Sequence, residues 1–530
     1  MSDSDGRKKL CLVFVDALRS DKLHETIDAG DAPNFGALVE RGHLIEDCVS
    51  GFPSVTPVCT SEIATGTSSE RHWISGMNWY HRVEHRYVEY GSSFEATRAF
   101  GLFRATYDIV YNMNMSHLSN EVETFFESLG DAGIRTACTP FLIYRGRKRH
   151  ELSLEGLLKR GAVAAGFRHA VYGPDELFYG ELFGSRPVPC KPTLARPGTR
   201  DEYSACVSKE LVADDAYDFL LFSLPDNDHH SHRWGPDATP ASIAHADNCL
   251  GELVEACGGM DEFLATHSVI MVADHAQTPV TEPYEMIEAL AEEWRVLQPS
   301  SDSTETAELA ISPTSRAGHV YVLVDEQREA ACHADVRERL HALEGTDLVA
   351  WLASSKGEPV VRREAGSPLE HDPRVEAVVE TDRGELRFRP GRAGKQDRRG
   401  QRWHLEGDLE ALGLTVEGGA VDSADYPDGL GRLWSALIAP HSGDVILSLA
   451  EGYECVDWGQ TSHVGGGSHG SLLAGDSLAP LLLVGFPPGT EKSKEQWRIT
   501  DVAPLVRAHF GLDDEVEFDL PRRAAAAAGT

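Results

Sequence analysis

Three segments of the chain share one hydrophobic pattern. KKLCLVFVDALRSD is apolar up to Asp16, YDFLLFSLPDND up to Asp226 and Asp228, and THSVIMVADHAQT up to Asp274 and His275. Short unbroken apolar runs with β-branched residues predict strands buried on both faces, as in a parallel sheet. SLAPLLLVGF predicts a fourth. In open α/β sheets the ligand site lies outside the carboxyl ends of the strands. Three strands are therefore expected to deliver carboxylates to one crevice. Helix signals follow the same logic. In FPSVTPVCTSEIATG, Thr56 suits an N-cap and Pro57 the first helical position. ITDVAPLVRAHFGL predicts a C-terminal helix with Asp501 at its N-cap.

The pattern changes between about 300 and 445. TSRAGHVYVLVDE and VEAVVETDRGELRFRPG predict strands and a hairpin, and GRAGKQDRRGQRW is an arginine-rich loop. Such a basic run is more often a solvated hairpin than a contact for an anionic substrate. The expected fold class is α/β, a mostly parallel central sheet with helices on both faces, plus an α+β insert. The core would be 1–300 and 445–520, the insert or cap 301–444. The low-complexity tail 521–530 is expected to fray. A length of 530 residues, above one usual domain, agrees with a core plus an insert.

Charge changes the picture more than composition does. With 49 basic and 84 acidic residues the formal charge is −35. Such a chain is expected to avoid nucleic-acid duplexes and anionic membranes. An anionic substrate then needs a bound dication or a local basic patch. The first apolar run is too short for a secretory signal, and none approaches the ~20 residues of a membrane span. The ten cysteines are scattered without CxxC pairs, which predicts reduced thiols in a cytoplasmic protein.

Candidate chemistry concentrates in SLPDNDHHSHRWGP, residues 223–236. Asp226 with His230 and Asp228 with His232 have the same i,i+4 spacing, and local pattern leaves both pairs open. Thr56, at the positive end of a helix, is placed to meet an oxyanion. A threonine becomes a nucleophile at neutral pH when a dication lowers its pKa.

Taken together these blocks resemble the alkaline phosphatase superfamily, and within it the type I phosphodiesterase/nucleotide pyrophosphatase branch. Thr56 stands ten residues before Gly66 of Thr65-Gly66, and ERHWI (70–74) sits where the branch has a Ser-His-Gly-Ile-like turn. DHHSHRWGP (228–236), ADHA (273–276) and GSHG (467–470) match its other blocks in order. The resemblance implies the register: Gly235-Pro236 selects Asp228 and His232. It also implies two divalent ions, one held by Asp228, His232 and His469, the other by Asp16, Asp274 and His275 beside the Thr56 oxygen. Histidine and carboxylate ligands suit zinc, with manganese or iron as substitutes. The chain departs from the branch at Trp73, Ser231 and Ala276, where glycine is usual. It also has Met77 where the branch places an Asn near the phosphoryl oxygens, leaving Asn78, one residue on, as the candidate.

Asp226, His229, His230 and His463 read as neighbours of the site, Arg19 as a surface residue, and Trp73, Trp79 and Tyr80 as packing before base stacking. The function implied is hydrolysis of a small phosphate diester or pyrophosphate through a threonine phospho-enzyme. The alternatives are a phosphonoacetate hydrolase or phosphomonoesterase on the same scaffold, or a catalytically weak metal-binding homologue. A sulfatase would need Cys or Ser at position 56. Oligomeric state and natural substrate are left open by the sequence.

Overall fold

A computed structural model describes residues 7–154, 160, 163, 166–180, 182–190, 200–301, 304–362, 374–417 and 419–512. The tail 521–530 and positions 363–373 of the expected insert lie outside the described residues.

The central sheet has eight strands: β1 (Lys9–Val15), β2 (His43–Val49), β3 (Thr136–Cys138), β4 (Glu176–Tyr179), β5 (Phe183–Gly184), β6 (Phe219–Leu224), β7 (His267–Val272) and β8 (Leu478–Val484). Their order is β2-β8-β7-β1-β6-β3-β4-β5. The middle pairs, β7-β1-β6-β3-β4, are all parallel, while β8 runs antiparallel between β7 and β2. This is the mostly parallel α/β sheet that the apolar runs predict.

Alternation along β1 shows how the sheet is buried. Leu10, Leu12 and Phe14 join a core with Val58, Ile63, Phe125 and Val502 on one face. Cys11, Val13 and Val15 join Leu23, Phe35, Leu211 and Leu250 on the other. Side chains on a strand alternate between faces, so a strand covered by helices on both sides is apolar at every position. Register then levels the strand ends. Val15 pairs with Leu224 and Phe14 with Val272, so the chain leaves β1, β6 and β7 at one edge of the sheet.

Among the described residues, strands between Leu309 and Leu449 build a second sheet of nine strands, mostly antiparallel. Strand Val445–Leu449, which the sequence reading gives to the core, lies in its middle between Ala317–Val322 and Thr346–Ser354. The arginine-rich segment forms the expected hairpin: Gly384–Asp397 pairs antiparallel with Arg402–Gly407, and Arg392, Lys395 and Arg402 are exposed. At its turn Arg398 pairs with Asp422 and Arg399 with Asp501. One cysteine expectation is corrected as well. Cys190 and Cys206, 16 residues apart, form a disulfide. The other eight are free thiols. Among the described residues no helix is long and apolar enough to cross a membrane.

Candidate active site

Helix α1 (Thr56–Thr65) follows the loop after β2. Its residues Pro57 to Thr65 are all buried, leaving Thr56 as its one partly accessible position. The cap differs by one residue from expectation: Val55 is the N-cap and Pro57 the second helical residue. Thr56 makes no capping bond. Its hydroxyl instead lies 3.3 Å from His275 Nε2. Gly66 ends the helix at φ +75, and a Cβ there would meet Pro504 Cδ at 2.9 Å. Trp73, where the resembling branch has glycine, keeps the left-handed backbone at φ 74.

Asp16 follows β1, and its backbone N–H donates to Leu224 O at 3.2 Å. Asp274 is the second residue after β7, and its Oδ1 accepts from the N–H of Ala17 at 3.2 Å and of His275 at 3.0 Å. Helix α2 (Asp226–Trp234) follows β6 and carries Asp228 and His232 one turn apart. His469 arrives on the Gly-rich loop, which pairs with the segment after His275 through Ser468 opposite Thr278.

The donor atoms converge in two groups. Asp228 Oδ1 is 3.4 Å from His232 Nε2 and 3.7 Å from His469 Nε2, and the two imidazole nitrogens are 3.2 Å apart. Asp16, Asp274 and His275 bring their donor atoms within 4.8 Å of one another, with Asp274 Oδ2 and His275 Nε2 at 3.3 Å. A tetrahedral zinc with ~2.0–2.1 Å bonds places its ligand atoms about 3.3 Å apart. The rings of His275 and His469 stack at 3.7 Å, so the two groups adjoin. Asp228, His275 and His469 also fall within one 4.8 Å group.

Tautomers decide what these groups are for. His232 Nδ1 bonds Gly467 O at 2.8 Å, His469 Nδ1 bonds Ser54 O at 2.7 Å, and His275 Nδ1 bonds Ala276 O at 3.1 Å. A carbonyl only accepts, so each ring carries its proton on Nδ1 and offers a bare Nε2 lone pair. Burial holds all three rings near a pKa of about 4, hence neutral at neutral pH. Two lone pairs facing each other at 3.2 Å are unfavourable unless a cation lies between them. The carboxylates tell the same story. Asp16 Oδ1 and Asp274 Oδ2 are buried without a hydrogen-bond partner. Burial raises Asp274 to about 6, and burial with the neighbouring Asp274 and Asp228 carboxylates raises Asp16 well above its usual range. Burial also opposes ionisation of Asp228, but His232, His469 and His275 outweigh it and hold that carboxyl low. Cation binding is the arrangement that satisfies orphaned carboxylate oxygens beside neutral imidazoles. The residues present fit a divalent-metal centre.

Other expected residues fall outside these groups. His230 Nε2 faces Ala238 O at 3.1 Å. Asp226 is held by Arg200, whose Nε donates to Oδ1 at 2.8 Å. Arg19 bonds Asp21 and the carbonyl of Gln277. Asn78 is buried, its amide nitrogen donates to Pro313 O, and it hydrogen-bonds neither Thr56 nor the ligand candidates. Trp79 and Tyr80 are packed in the interior. Sequence reasoning missed three contributors. Gln277 Nε2 donates to Asp228 Oδ1 at 2.5 Å, Asn227 Nδ2 donates to Asp16 O at 2.8 Å, and Glu454 Oε1 accepts from His463 Nδ1 at 2.8 Å. None sits at a motif spacing, and each acts through a fold contact.

The sequence model of type I phosphodiesterase/nucleotide pyrophosphatase matches residues 10–404. No curated protein sequence matches the chain. Murine ectonucleotide pyrophosphatase/phosphodiesterase 5 superposes with a TM-score of 0.55 at 13% identity, covering 96% of both chains. An inactive form of that protein, in complex with AMP, gives 0.54, also at 13% identity and 96% of both chains. Phosphonoacetate hydrolase from Sinorhizobium meliloti 1021, in complex with phosphonoformate, gives 0.51 at 14% identity, covering 95% of both chains. At these identities the likeness is one of fold, and it is the alkaline phosphatase-like α/β fold.

Proposed function

The chain belongs to the type I phosphodiesterase/nucleotide pyrophosphatase family, a family of hydrolytic enzymes, and on that premise we propose that it hydrolyses small phosphate diesters or pyrophosphates by covalent transfer to Thr56. The observation that carries this reading is the Thr56 hydroxyl, 3.3 Å from His275 Nε2 at the edge of six convergent donor side chains.

Two divalent ions at the two donor groups, zinc by ligand type, would supply charge neutralisation for the attacking and leaving oxygens. The chain's own residues do the rest. Asp228, His232 and His469 would hold one ion, and Asp16, Asp274 and His275 the other. Thr56 Oγ1 forms the bond to phosphorus as the bond to the leaving alkoxide breaks. Water then displaces Thr56 and releases the phosphoryl product. Helix α1 keeps Thr56 in place, since every other residue of that helix is buried. Positioning and charge stabilisation supply most of the rate in such transfers. AMP bound to a structural neighbour supports a nucleotide-like substrate class.

The test uses protein loaded with zinc or manganese and a panel of p-nitrophenyl monoester, diester, phosphonate and sulfate substrates. The diester is expected to give the highest kcat/KM. Thr56→Ala is expected to lower it at least about a thousandfold. Diester hydrolysis at wild-type rate by that variant would refute the nucleophile. A monoester or phosphonate leading the panel would move the assignment to the alternative chemistry on this scaffold.

A further inference from the structure

We infer that Gln277 is a positioning residue for the Asp228 carboxylate, fixing which of its lone pairs faces the ion shared with His232 and His469; this rests on the site reading above. Gln277 follows the Asp274-His275 block by two residues and is fully buried. Its Nε2 donates to Asp228 Oδ1 at 2.5 Å and reaches the Asp228 backbone carbonyl at 3.4 Å. Two acceptors on one nitrogen identify it as the NH2 end of the amide. One side chain thus grips both the carboxylate and the backbone of the same aspartate.

The oxygen it grips is Oδ1, the one nearest His232 Nε2 and His469 Nε2. A carboxylate oxygen has two lone pairs. With one taken by the amide, the other is directed at the two imidazole nitrogens. The amide itself cannot swing away. Its backbone carbonyl accepts from Arg19 Nη1 at 2.9 Å. Its side-chain oxygen lies against Gly467, where a Cβ would come within 2.7 Å of it and within 2.9 Å of Ser231 Oγ. That side-chain oxygen has no hydrogen-bond partner and neither has Ser231 Oγ. The amide is therefore held by its donor end and by packing between α2 and the Gly-rich loop. Groups that orient a metal-ligating side chain typically change metal affinity 10–100-fold when removed.

Gln277→Met keeps the volume and removes both donors. Metal affinity is measured by chelator competition, with stoichiometry by elemental analysis, on wild type, Gln277→Met and Asp228→Asn. Wild type is expected to hold two ions. In Gln277→Met one of them is expected to bind about 10–100-fold more weakly, the other within about threefold of wild type. The thermal midpoint of the metal-free protein should stay at the wild-type value. Unchanged affinity at both sites overturns the inference, and so does equal weakening of both or a lowered metal-free midpoint, each of which marks a purely structural role. Asp228→Asn separates the two ideas. If it loses one ion while Gln277→Met loses none, only the positioning role fails. If it retains both ions, the site reading fails with it.

Discussion

His230 and His232 lie on the same helix, and the fold uses them differently. His232 hydrogen-bonds Gly467 through Nδ1 and turns Nε2 toward Asp228 and His469. His230 turns its Nε2 to the carbonyl of Ala238 on the same local segment. The difference is rotational: on a helix residues four apart share a face, and residues two apart do not. His232→Ala is expected to weaken binding of one divalent ion by more than about a hundredfold. His230→Ala is expected to leave ion stoichiometry at two. Elemental analysis after dialysis reads both, and equal loss from the two variants would show that the wrong pair was selected. Sequence pattern could not choose between these pairs because both have the same spacing. The resemblance implied the choice through Gly235-Pro236.

At the scale of elements, the Gly-rich loop is where close packing is most demanding. Gly466 touches α2: a Cβ there would sit 1.9 Å from the carbonyl oxygen of His232. Backbone cannot yield by that much, so Gly466→Ala must push the loop and α2 apart. The expected outcome is loss of one bound ion, the one between His232 and His469, with far-UV circular dichroism unchanged. Retention of both ions at wild-type affinity would mean that the loop has slack the structure does not show. The other end of α2 is fastened from three directions: Asp226 by Arg200, Asn227 to the carbonyl of Asp16, and Asp228 by Gln277. Strand ends are legible from apolar runs because burial on both faces writes itself into composition. Those fastenings are not, since each joins residues tens to hundreds of positions apart with no periodic signal.

At the scale of the whole molecule, a buried ion network ties the helix that bears Thr56 to distant parts of the chain. Glu62 of α1 meets Arg498 at 3.3 Å, and Arg498 also meets Asp428 at 3.1 Å. All three side chains are almost fully buried. Replacing such a pair with apolar groups costs little, but removing one partner strands the other charge in a low dielectric. Arg498→Met is thus expected to lower stability by about 3–5 kcal/mol, seen as a reduced urea midpoint. Breaking the exposed Lys209–Glu252 pair is expected to leave that midpoint unchanged. A midpoint at the wild-type value for Arg498→Met would show that water reaches Glu62 and Asp428. The arginine-rich loop belongs to this same buried region through Arg399 and Asp501. Composition makes it a solvated hairpin, as its exposed Arg392, Lys395 and Arg402 show, but does not record that Asp501 folds back onto Arg399.

The sequence by itself determined the strands, the level at which Asp16, Asp228 and Asp274 leave them, and the family to which those blocks point. It could do so because a doubly buried strand needs an apolar residue at every position, and because motif residues keep fixed local spacing. Tertiary structure alone decided the ring tautomers, the orphaned oxygens of Asp16 and Asp274, the grip of Gln277 on Asp228 and the Cys190–Cys206 bond. Most of these depend on a contact between segments far apart in the chain. Hydrogen bonding and burial set charge and orientation only once those segments have met.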